Sequence, residues 1–256
     1  MLKKQRLLLI PGFGEDERIF RNVINYFGNY DVEILDYNSV LRRFSYKSIR
    51  LEKFIKAIIE YYSISERDII IGHSLGGFIA HYIRQEVGCP ICMHSSFTDP
   101  SKIKPLIGNK LLIKKVILNG LFSSYPFRKA ARLLHSTSQS KQDMEYVIEK
   151  LDNYGSENIL KLIYLFFNRK KRFLNWLRSS PSYDFSPNLI IHPKNDNIVN
   201  PPDEDYFEVS GDHFSIATHP QQSFFIMLNW LRELQKQPKI SSYSLNKEIH
   251  SLKVAG

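Results

Sequence analysis

The chain has 256 residues, of which 43% are hydrophobic and 13% aromatic, and its net charge is +9. This length allows one sizeable domain with a buried core, or one domain that carries an insertion. The composition excludes a disordered chain, and no apolar run approaches the roughly 18 residues of a membrane-spanning helix. The apolar run Leu7–Ile10 is also too short for the core of a secretion signal, so we expect a cytoplasmic protein.

Short apolar runs alternate with helical patterns over most of the chain. The runs predict strands at Leu7–Ile10, Val32–Tyr37, Ile69–Ile71, Ile91–Met93, Leu189–Ile191 and Tyr206–Val209. Apolar residues at three- and four-residue spacing predict helices over Ile19–Phe27, Leu51–Tyr62 and Leu75–Ile83, and a closing helix through Phe224, Leu228 and Leu231. Alternating strands and helices predict an α/β fold with a parallel sheet.

The alternation is interrupted between about residues 100 and 186, where no strand is predicted. Only helix-like patches occur there, at Leu111–Leu118, Met144–Leu151 and Ile159–Phe167. We therefore predict a core formed by residues 1–99 and 187–236, with a helical lid inserted at residues 100–186. Residues 237–256 are polar and aperiodic, which indicates a loosely attached tail.

The positive charge is concentrated in the predicted insertion. Residues 101–172 contain 15 Lys and Arg but only 5 Asp and Glu, a net charge of +10. These cations are either the solvated faces of amphipathic helices or a surface that recruits an anionic substrate or an acidic acyl carrier protein. Attachment to an anionic membrane surface is a third alternative. Nucleic-acid binding is not expected, since neither an interleaved aromatic pattern nor a recognition motif accompanies the charge.

The two cysteines, Cys89 and Cys92, form a C-x-x-C pair. Zinc sites usually need a second pair of ligands at matching spacing, which this chain lacks. On a strand, residues three apart also point to opposite faces. We expect two inert buried thiols and no metal site.

Three chemically reactive residues follow predicted strands, at the sheet edge where ligands bind in such folds. Ser74 follows the third strand, in the G-x-S-x-G pattern of residues 72–76. Asp196 follows the fifth strand and His213 the sixth. A serine becomes nucleophilic when a histidine removes its proton and a carboxylate orients that histidine. The sequence predicts this triad, with Asp99 after the fourth strand as the rival carboxylate.

Two main-chain amides are predicted to bind a developing oxyanion. Leu75 begins the helix after Ser74, so its N–H points from a helix N-terminus. The loop after the first strand leaves the N–H of Phe13 accessible between Gly12 and Gly14. Tight turns around Ser74 are provided by Gly72 and Gly76.

Four segments resemble those of the α/β-hydrolase family, over roughly residues 5 to 236. Gly72–Gly77 resembles its nucleophile elbow, and Gly211–Phe214 its histidine segment. Pro11–Gly14 resembles its His-Gly-x-Gly oxyanion loop with proline in place of histidine, and residues 191–199 resemble its acid segment. The resemblance implies a cofactor-free hydrolase whose helical lid is inserted after the fourth predicted strand.

These patterns predict a serine hydrolase that cleaves a carboxylic ester or thioester through an acyl-enzyme. C–C bond hydrolysis or a lyase reaction on the same triad, and a non-catalytic ligand-binding protein, are the alternatives. One departure from the family concerns the acid, because only 17 positions separate Asp196 from His213 and leave little room for a crossover. His73 is predicted to be a packed histidine, and Asp212 to be a loop charge.

Overall fold

The computed structural model of the chain describes residues 4–45, 48–104, 137–154, 156–167 and 188–236. The predicted helical patch Leu111–Leu118 and the predicted tail at residues 237–256 lie outside these ranges. Most of the basic segment lies outside them as well.

Six parallel strands form one sheet in the order β2-β1-β3-β4-β5-β6, which confirms the predicted α/β fold. The strands are β1 (Arg6–Ile10), β2 (Asp31–Ile34), β3 (Ile69–His73), β4 (Ile91–His94), β5 (Asn188–Pro193) and β6 (Phe207–Val209). Strands β1, β3 and β4 lie in the interior, and their continuous apolar residues are covered on both faces, as expected for parallel strands with helices on either side.

Seven α-helices are described. They are α1 (Tyr37–Leu41), α2 (Leu51–Tyr62), α3 (Leu75–Val87), α4 (Ser138–Tyr154), α5 (Ser156–Phe167), α6 (Ser215–Thr218) and α7 (Pro220–Lys236). Helices α2 and α3 pack through Phe54, Ile58 and Phe78 on one face of the sheet. Helix α7 packs through Met227 and Leu231 on the other face. Helices α4 and α5 confirm two of the helical patches predicted in the insertion.

Two predicted elements after β1 are wrong in detail. The expected helix over Ile19–Phe27 is a pair of 3-10 turns, Glu17–Phe20 and Ile24–Phe27. Its apolar residues still face the core, because successive three-residue turns satisfy the same spacing as one α-helix. Strand β2 ends before Tyr37, since the Asp36 side chain accepts a hydrogen bond from the amide of Asn38 and so caps α1.

The connection from β5 to β6 is short, as the sequence indicated. Residues 194–206 contain no helix, yet β6 pairs in parallel with β5 through Ile191, His192 and Pro193. The expected strand therefore forms without a helical crossover. Among the described helices, none is both long and apolar enough to cross a bilayer.

Candidate active site

Ser74 lies at the sharp turn between β3 and α3, in a backbone conformation that non-glycine residues rarely adopt. Its φ is +50° and its ψ is −118°, which costs conformational energy and is typical of functional turns. Gly76 allows this turn, because a Cβ atom there would overlap the carbonyl oxygen of Ile10. We call residues 72–77 the nucleophile elbow.

Residues at and just after the end of β4 hold the nucleophile elbow by hydrogen bonds. The Ser74 amide donates to the carbonyl of His94 at 2.9 Å, and the Ser96 hydroxyl donates to the carbonyl of Ser74 at 2.6 Å. Ser96 lies against Gly77, where a side chain would collide with its hydroxyl. Both polar groups of the Ser74 main chain are thus hydrogen-bonded to the neighbouring strand end.

Ser74, His213 and Asp196 form a continuous hydrogen-bonded chain. The Nε2 atom of His213 lies 2.9 Å from the Ser74 Oγ, and its Nδ1 lies 2.9 Å from Asp196 Oδ2. The other Asp196 oxygen accepts the amides of Ile198 at 2.8 Å and Val199 at 2.9 Å. All three side chains are buried. Because Asp196 accepts at Nδ1, that nitrogen carries the proton and Nε2 is the free base facing serine.

Asp99, the rival carboxylate, is placed elsewhere. Its side chain accepts the amide of Ser101 at 2.7 Å and caps the 3-10 turn Pro100–Lys102. The geometry therefore favours Asp196 as the partner of His213.

Asp196 and His213 shift each other's pKa values. Burial lowers the pKa of His213, but the negative charge of Asp196 and their hydrogen bond outweigh burial and raise it. Burial raises the pKa of Asp196, but His213 and two main-chain amides outweigh burial and lower it. Asp196 therefore stays ionised at neutral pH and stabilises a proton on His213.

Of the two amides predicted to bind an oxyanion, that of Leu75 lies within the nucleophile elbow and that of Phe13 in the loop after β1. Strand β1, which leads to Phe13, pairs with β3, which leads to Ser74 and Leu75. Neither amide donates a hydrogen bond to any residue within the described ranges. Two main-chain donors thus remain available beside the serine.

Solved structures with a similar fold are hydrolases of several kinds. A hydrolase from Oleispira antarctica has 17% identity and a TM-score of 0.68, over 89% of this chain and 91% of its own. An enol-lactonase from Burkholderia xenovorans LB400 has 11% identity and a TM-score of 0.66, over 90% and 92%. A thermophilic esterase from Thermogutta terrifontis has 12% identity and a TM-score of 0.62, over 90% of each chain.

The chain has the α/β-hydrolase fold. At these identities the likeness establishes the fold and not the reaction. No family model and no curated protein sequence matches the chain.

Helix α4, in the insertion of this α/β-hydrolase fold, packs directly on the loop after β1. A Cβ atom on Gly14 would lie 2.8 Å from Leu151 Cγ and 3.0 Å from Val147 Cγ1. Gly14 also has a φ of +72°, a value that glycine adopts without strain. Position 14 therefore requires glycine for two reasons, namely the positive φ and the close contact with α4.

Polar contacts hold α4 to the same loop. Lys150 forms an ion pair of 3.0 Å with Asp16 Oδ2, and the Tyr146 hydroxyl donates to the same oxygen. The guanidinium of Arg18 lies over the Tyr146 ring at 4.0 Å. The described part of the insertion is thus bound to the core by specific interactions.

Asp212 was predicted to be only a loop charge, and it lies between β6 and α6 but is fully buried and hydrogen-bonded. Its Oδ1 accepts the hydroxyl of Ser140 at 2.8 Å and the amide of Phe214 at 3.2 Å. A buried carboxylate needs such partners to offset its lost hydration. Asp212 therefore joins the His213 loop to the start of α4.

The start of the insertion also supports the loop that carries Asp196, which we call the acid loop (residues 194–203). Lys104 Nζ donates to the Asp196 carbonyl at 2.6 Å, and the Lys104 amide donates to Ile198 at 2.9 Å. Ile103 pairs with Val199 in an isolated antiparallel bridge. The residues that leave the core after β4 thus hold the acid in place.

His73 is packed as predicted, and it also contacts the histidine segment. Its Nδ1 lies 2.7 Å from Glu15 Oε2, and its Nε2 lies 2.9 Å from the carbonyl oxygen of His213. His94 is similarly enclosed, between the hydroxyls of Ser95 and Ser223. Burial, and then the neighbouring histidines, hold the pKa of His94 well below its ordinary value.

Glu15, His73 and His213 bring metal-ligand atoms within 4.8 Å of one another. Each ring nitrogen already has a hydrogen-bond partner, however, and Glu15 Oε2 also accepts the amide of Gly12. These donors are engaged within the protein, which does not fit a metal centre.

The cysteines are free and buried, as predicted. Burial raises the pKa of Cys89 to about 12 and also raises that of Cys92, so both thiols stay protonated at neutral pH.

Sequence analysis missed five residues that support the site. Four are described above, namely Glu15, Ser96, Lys104 and Ser140, and the fifth is Tyr37, whose hydroxyl donates to the carbonyl oxygen of Gly12. All except Glu15 contact the site from separate segments, and no motif marks them. Glu15 alone has a local signal, because it directly follows the glycine-rich Gly12–Gly14 loop.

Proposed function

We propose that the protein is a serine hydrolase that cleaves a carboxylic ester or thioester through an acyl-enzyme. The observation that carries the proposal is the chain of two 2.9 Å hydrogen bonds from Ser74 through His213 to Asp196. The hydrolase, esterase and lactonase neighbours support the same class of reaction, since all of them share this fold.

Each residue of the chain has a distinct role in this reaction. Ser74 Oγ attacks the carbonyl carbon while His213 Nε2 takes its proton. The same proton then passes to the leaving alkoxide or thiolate as the bond to the acyl carbon breaks. Water attacks the acyl-enzyme in the second half, again with His213 as base, and releases the acid. Asp196 keeps the proton on Nδ1 and stabilises the imidazolium formed in both halves.

The tetrahedral intermediate places a negative charge on the former carbonyl oxygen. The amides of Phe13 and Leu75 are the donors we assign to it, because both lie beside Ser74 without other partners in the described ranges. Donors held in place before the reaction need no reorganisation, and one such donor contributes about 10²–10³ in kcat.

Labelling with a fluorophosphonate tests the proposal directly. The probe should modify one residue of the wild-type protein, Ser74, and Ser74→Ala should abolish both labelling and turnover, with kcat falling by about 10⁵-fold or more. Ser95→Ala is a control that also removes a buried hydroxyl near the site. A folded wild-type protein that is neither labelled nor active would support a ligand-binding role instead.

Substrate class is tested with p-nitrophenyl esters and acyl thioesters of graded chain length. Ester or thioester turnover that accumulates an acylated Ser74, seen as a mass increase of the intact protein, supports the proposal. Labelling of Ser74 without turnover of either class would favour the alternatives, C–C bond hydrolysis or a lyase reaction.

An acidic partner for the insertion, such as an acyl carrier protein, stays a prediction. Most of the basic segment lies outside the described residues. Three described lysines at its edges are already engaged, since Lys104 binds Asp196, Lys150 binds Asp16 and Lys161 binds Glu157. These three described lysines therefore give no support to an acidic partner.

A further inference from the structure

The peptide unit between Gly12 and Phe13 is held by its carbonyl group. The Tyr37 hydroxyl donates to the Gly12 carbonyl oxygen at 2.7 Å, and the Glu15 amide donates to the same oxygen at 3.2 Å. In a planar trans peptide, the C=O and the following N–H point in opposite directions. Fixing the Gly12 oxygen therefore fixes the direction of the Phe13 N–H.

The other side of Gly12 is held by a buried carboxylate. Glu15 Oε2 accepts the Gly12 amide at 2.6 Å and lies 2.7 Å from His73 Nδ1. The Nε2 of His73 lies 2.9 Å from the His213 carbonyl, and since a carbonyl only accepts, that nitrogen carries a proton. Glu15 and His73 thus connect the oxyanion loop to the main chain of His213 without contact with the substrate-facing atoms.

We propose that Tyr37, Glu15 and His73 are positioning residues that set the Phe13 amide and His213 relative to each other. The inference rests on the proposed function, because it assigns these residues to the stabilisation of that reaction's oxyanion. Stability alone does not account for them, since buried hydroxyl, carboxylate and imidazole groups give up hydration that apolar side chains of similar volume would not lose. All three are almost completely buried.

The loop needs an external restraint because of its composition. Gly12 and Gly14 permit many backbone conformations, and the loop has no regular secondary structure between β1 and the first 3-10 turn. An oxyanion donor loses its effect when it is misdirected. The hydroxyl of Tyr37 and the carboxylate of Glu15 restrain the loop and so orient the Phe13 N–H, which the flexible glycines cannot do.

The first test is Tyr37→Phe, which removes one hydroxyl and keeps the buried ring. We expect kcat to fall about tenfold with KM unchanged, the size of effect of one lost hydrogen bond. The inhibition constant of a trifluoromethyl ketone, which forms an oxyanion on Ser74, should rise by the same factor. Tyr62→Phe is the matched control, because the Tyr62 hydroxyl also binds main chain, but at Asp36 rather than at Gly12.

Unchanged kcat and inhibition constant in Tyr37→Phe would overturn the inference. A rise in KM alone would overturn it too, and so would changes in kcat and in the inhibition constant equal to those of Tyr62→Phe. Either result would indicate a general structural effect and not a loss of oxyanion stabilisation.

The second test compares Glu15→Gln with Glu15→Ala. Glutamine keeps the side-chain volume and an oxygen that can accept the Gly12 amide, so kcat should stay within about threefold of wild type. Alanine removes both contacts of the Glu15 carboxylate, and should cost about 10²-fold, the size of effect of a misdirected donor. Each kcat is expressed per site labelled to completion by the fluorophosphonate, which excludes unfolded protein. Equal kcat in Glu15→Ala and wild type would overturn the role of Glu15.

The two proposals fail in different ways. A wild-type protein without labelling or turnover removes the proposed function, and this inference with it. A wild-type protein that is labelled and active, with Tyr37→Phe and Glu15→Ala equally active, removes only the positioning roles.

Discussion

The nucleophile elbow and the acid loop contact the same histidine but are built differently. The elbow is defined by nearby residues, since Gly76 allows the turn and Ser74 is the junction of β3 and α3. The acid loop instead depends on Ile103 and Lys104, more than 90 residues earlier in the chain. The position of Ser74 is therefore determined by residues close to it in sequence, whereas the position of Asp196 depends on the start of the insertion.

This difference means that the two halves should fail in different ways. A side chain added at one of the elbow glycines alters packing between β1, β3 and α3 and should damage the fold. A change in the supports of the acid loop should leave the fold intact and misplace the carboxylate. Thermal stability and kcat, measured together, separate these effects.

The largest effect is expected for Gly76→Ala. The new Cβ atom would overlap the main chain of β1 at Ile10, which cannot move away without breaking the sheet. We expect loss of soluble folded protein, measured by thermal denaturation and yield. Gly28→Ala is the control, because nothing lies within 4 Å of a Cβ at that position. A stable Gly76→Ala protein would show that the elbow is not rigid.

Asp196→Asn should leave the fold intact and lower kcat by about 10⁴-fold, because asparagine favours the wrong His213 tautomer. Steady-state kinetics on the best ester substrate measures the loss. Asp99→Asn should change kcat little, since its carboxylate caps a 3-10 turn. A greater loss in Asp99→Asn would place the acid after β4.

Lys104→Met tests the dependence of the acid loop on the insertion. It removes the 2.6 Å hydrogen bond to the Asp196 carbonyl and keeps most of the side-chain volume. We expect kcat to fall by about tenfold, within the range of a lost charge-assisted hydrogen bond, with little change in Tm. Lys56→Met is the control, since Lys56 forms an exposed ion pair with Glu52 on α2, away from the acid loop, and such surface pairs contribute about 0–1 kcal/mol. Equal kinetics in the two variants would contradict the assigned support.

The smallest effect concerns pH. Only neutral His213 accepts a proton from Ser74, and Asp196 raises the pKa of His213 above its ordinary value of 6.5. The kcat/KM of wild type should therefore rise with pH through a midpoint above 6.5. Removing the negative charge in Asp196→Asn should move the midpoint of the residual activity to lower pH. A midpoint that is the same in both proteins would mean that Asp196 does not act on His213 electrostatically.

The elements that the sequence predicted well are those with strong local patterns. The apolar runs of β1 and β3 and the amphipathic face of α2 needed no long-range information. The turn at Ser74 was also predictable, because G-x-S-x-G lies between a strand and a helix. The helix expected over Ile19–Phe27 was wrong because its spacing fits two short turns as well as one helix.

The supports of the site could not be predicted, because they are contacts between distant segments. Ser140 and Asp212 are 72 residues apart, and Lys104 and Asp196 are 92 residues apart. Asp212 was predicted to be only a loop charge, because its side-chain partner Ser140 is distant in sequence. Only the fold brings these pairs together, and burial then makes the hydrogen bonds necessary.

The hydrogen bond between Ser140 and Asp212 also limits how the chain can diverge. Loss of either partner leaves the other buried with one hydrogen bond fewer, which costs about 1–3 kcal/mol. Replacement of both by apolar residues avoids this cost, so the two positions should covary among homologues. A lineage that exchanges its insertion must then also change the residue before His213. The insertion and the histidine segment are therefore expected to be inherited as a unit.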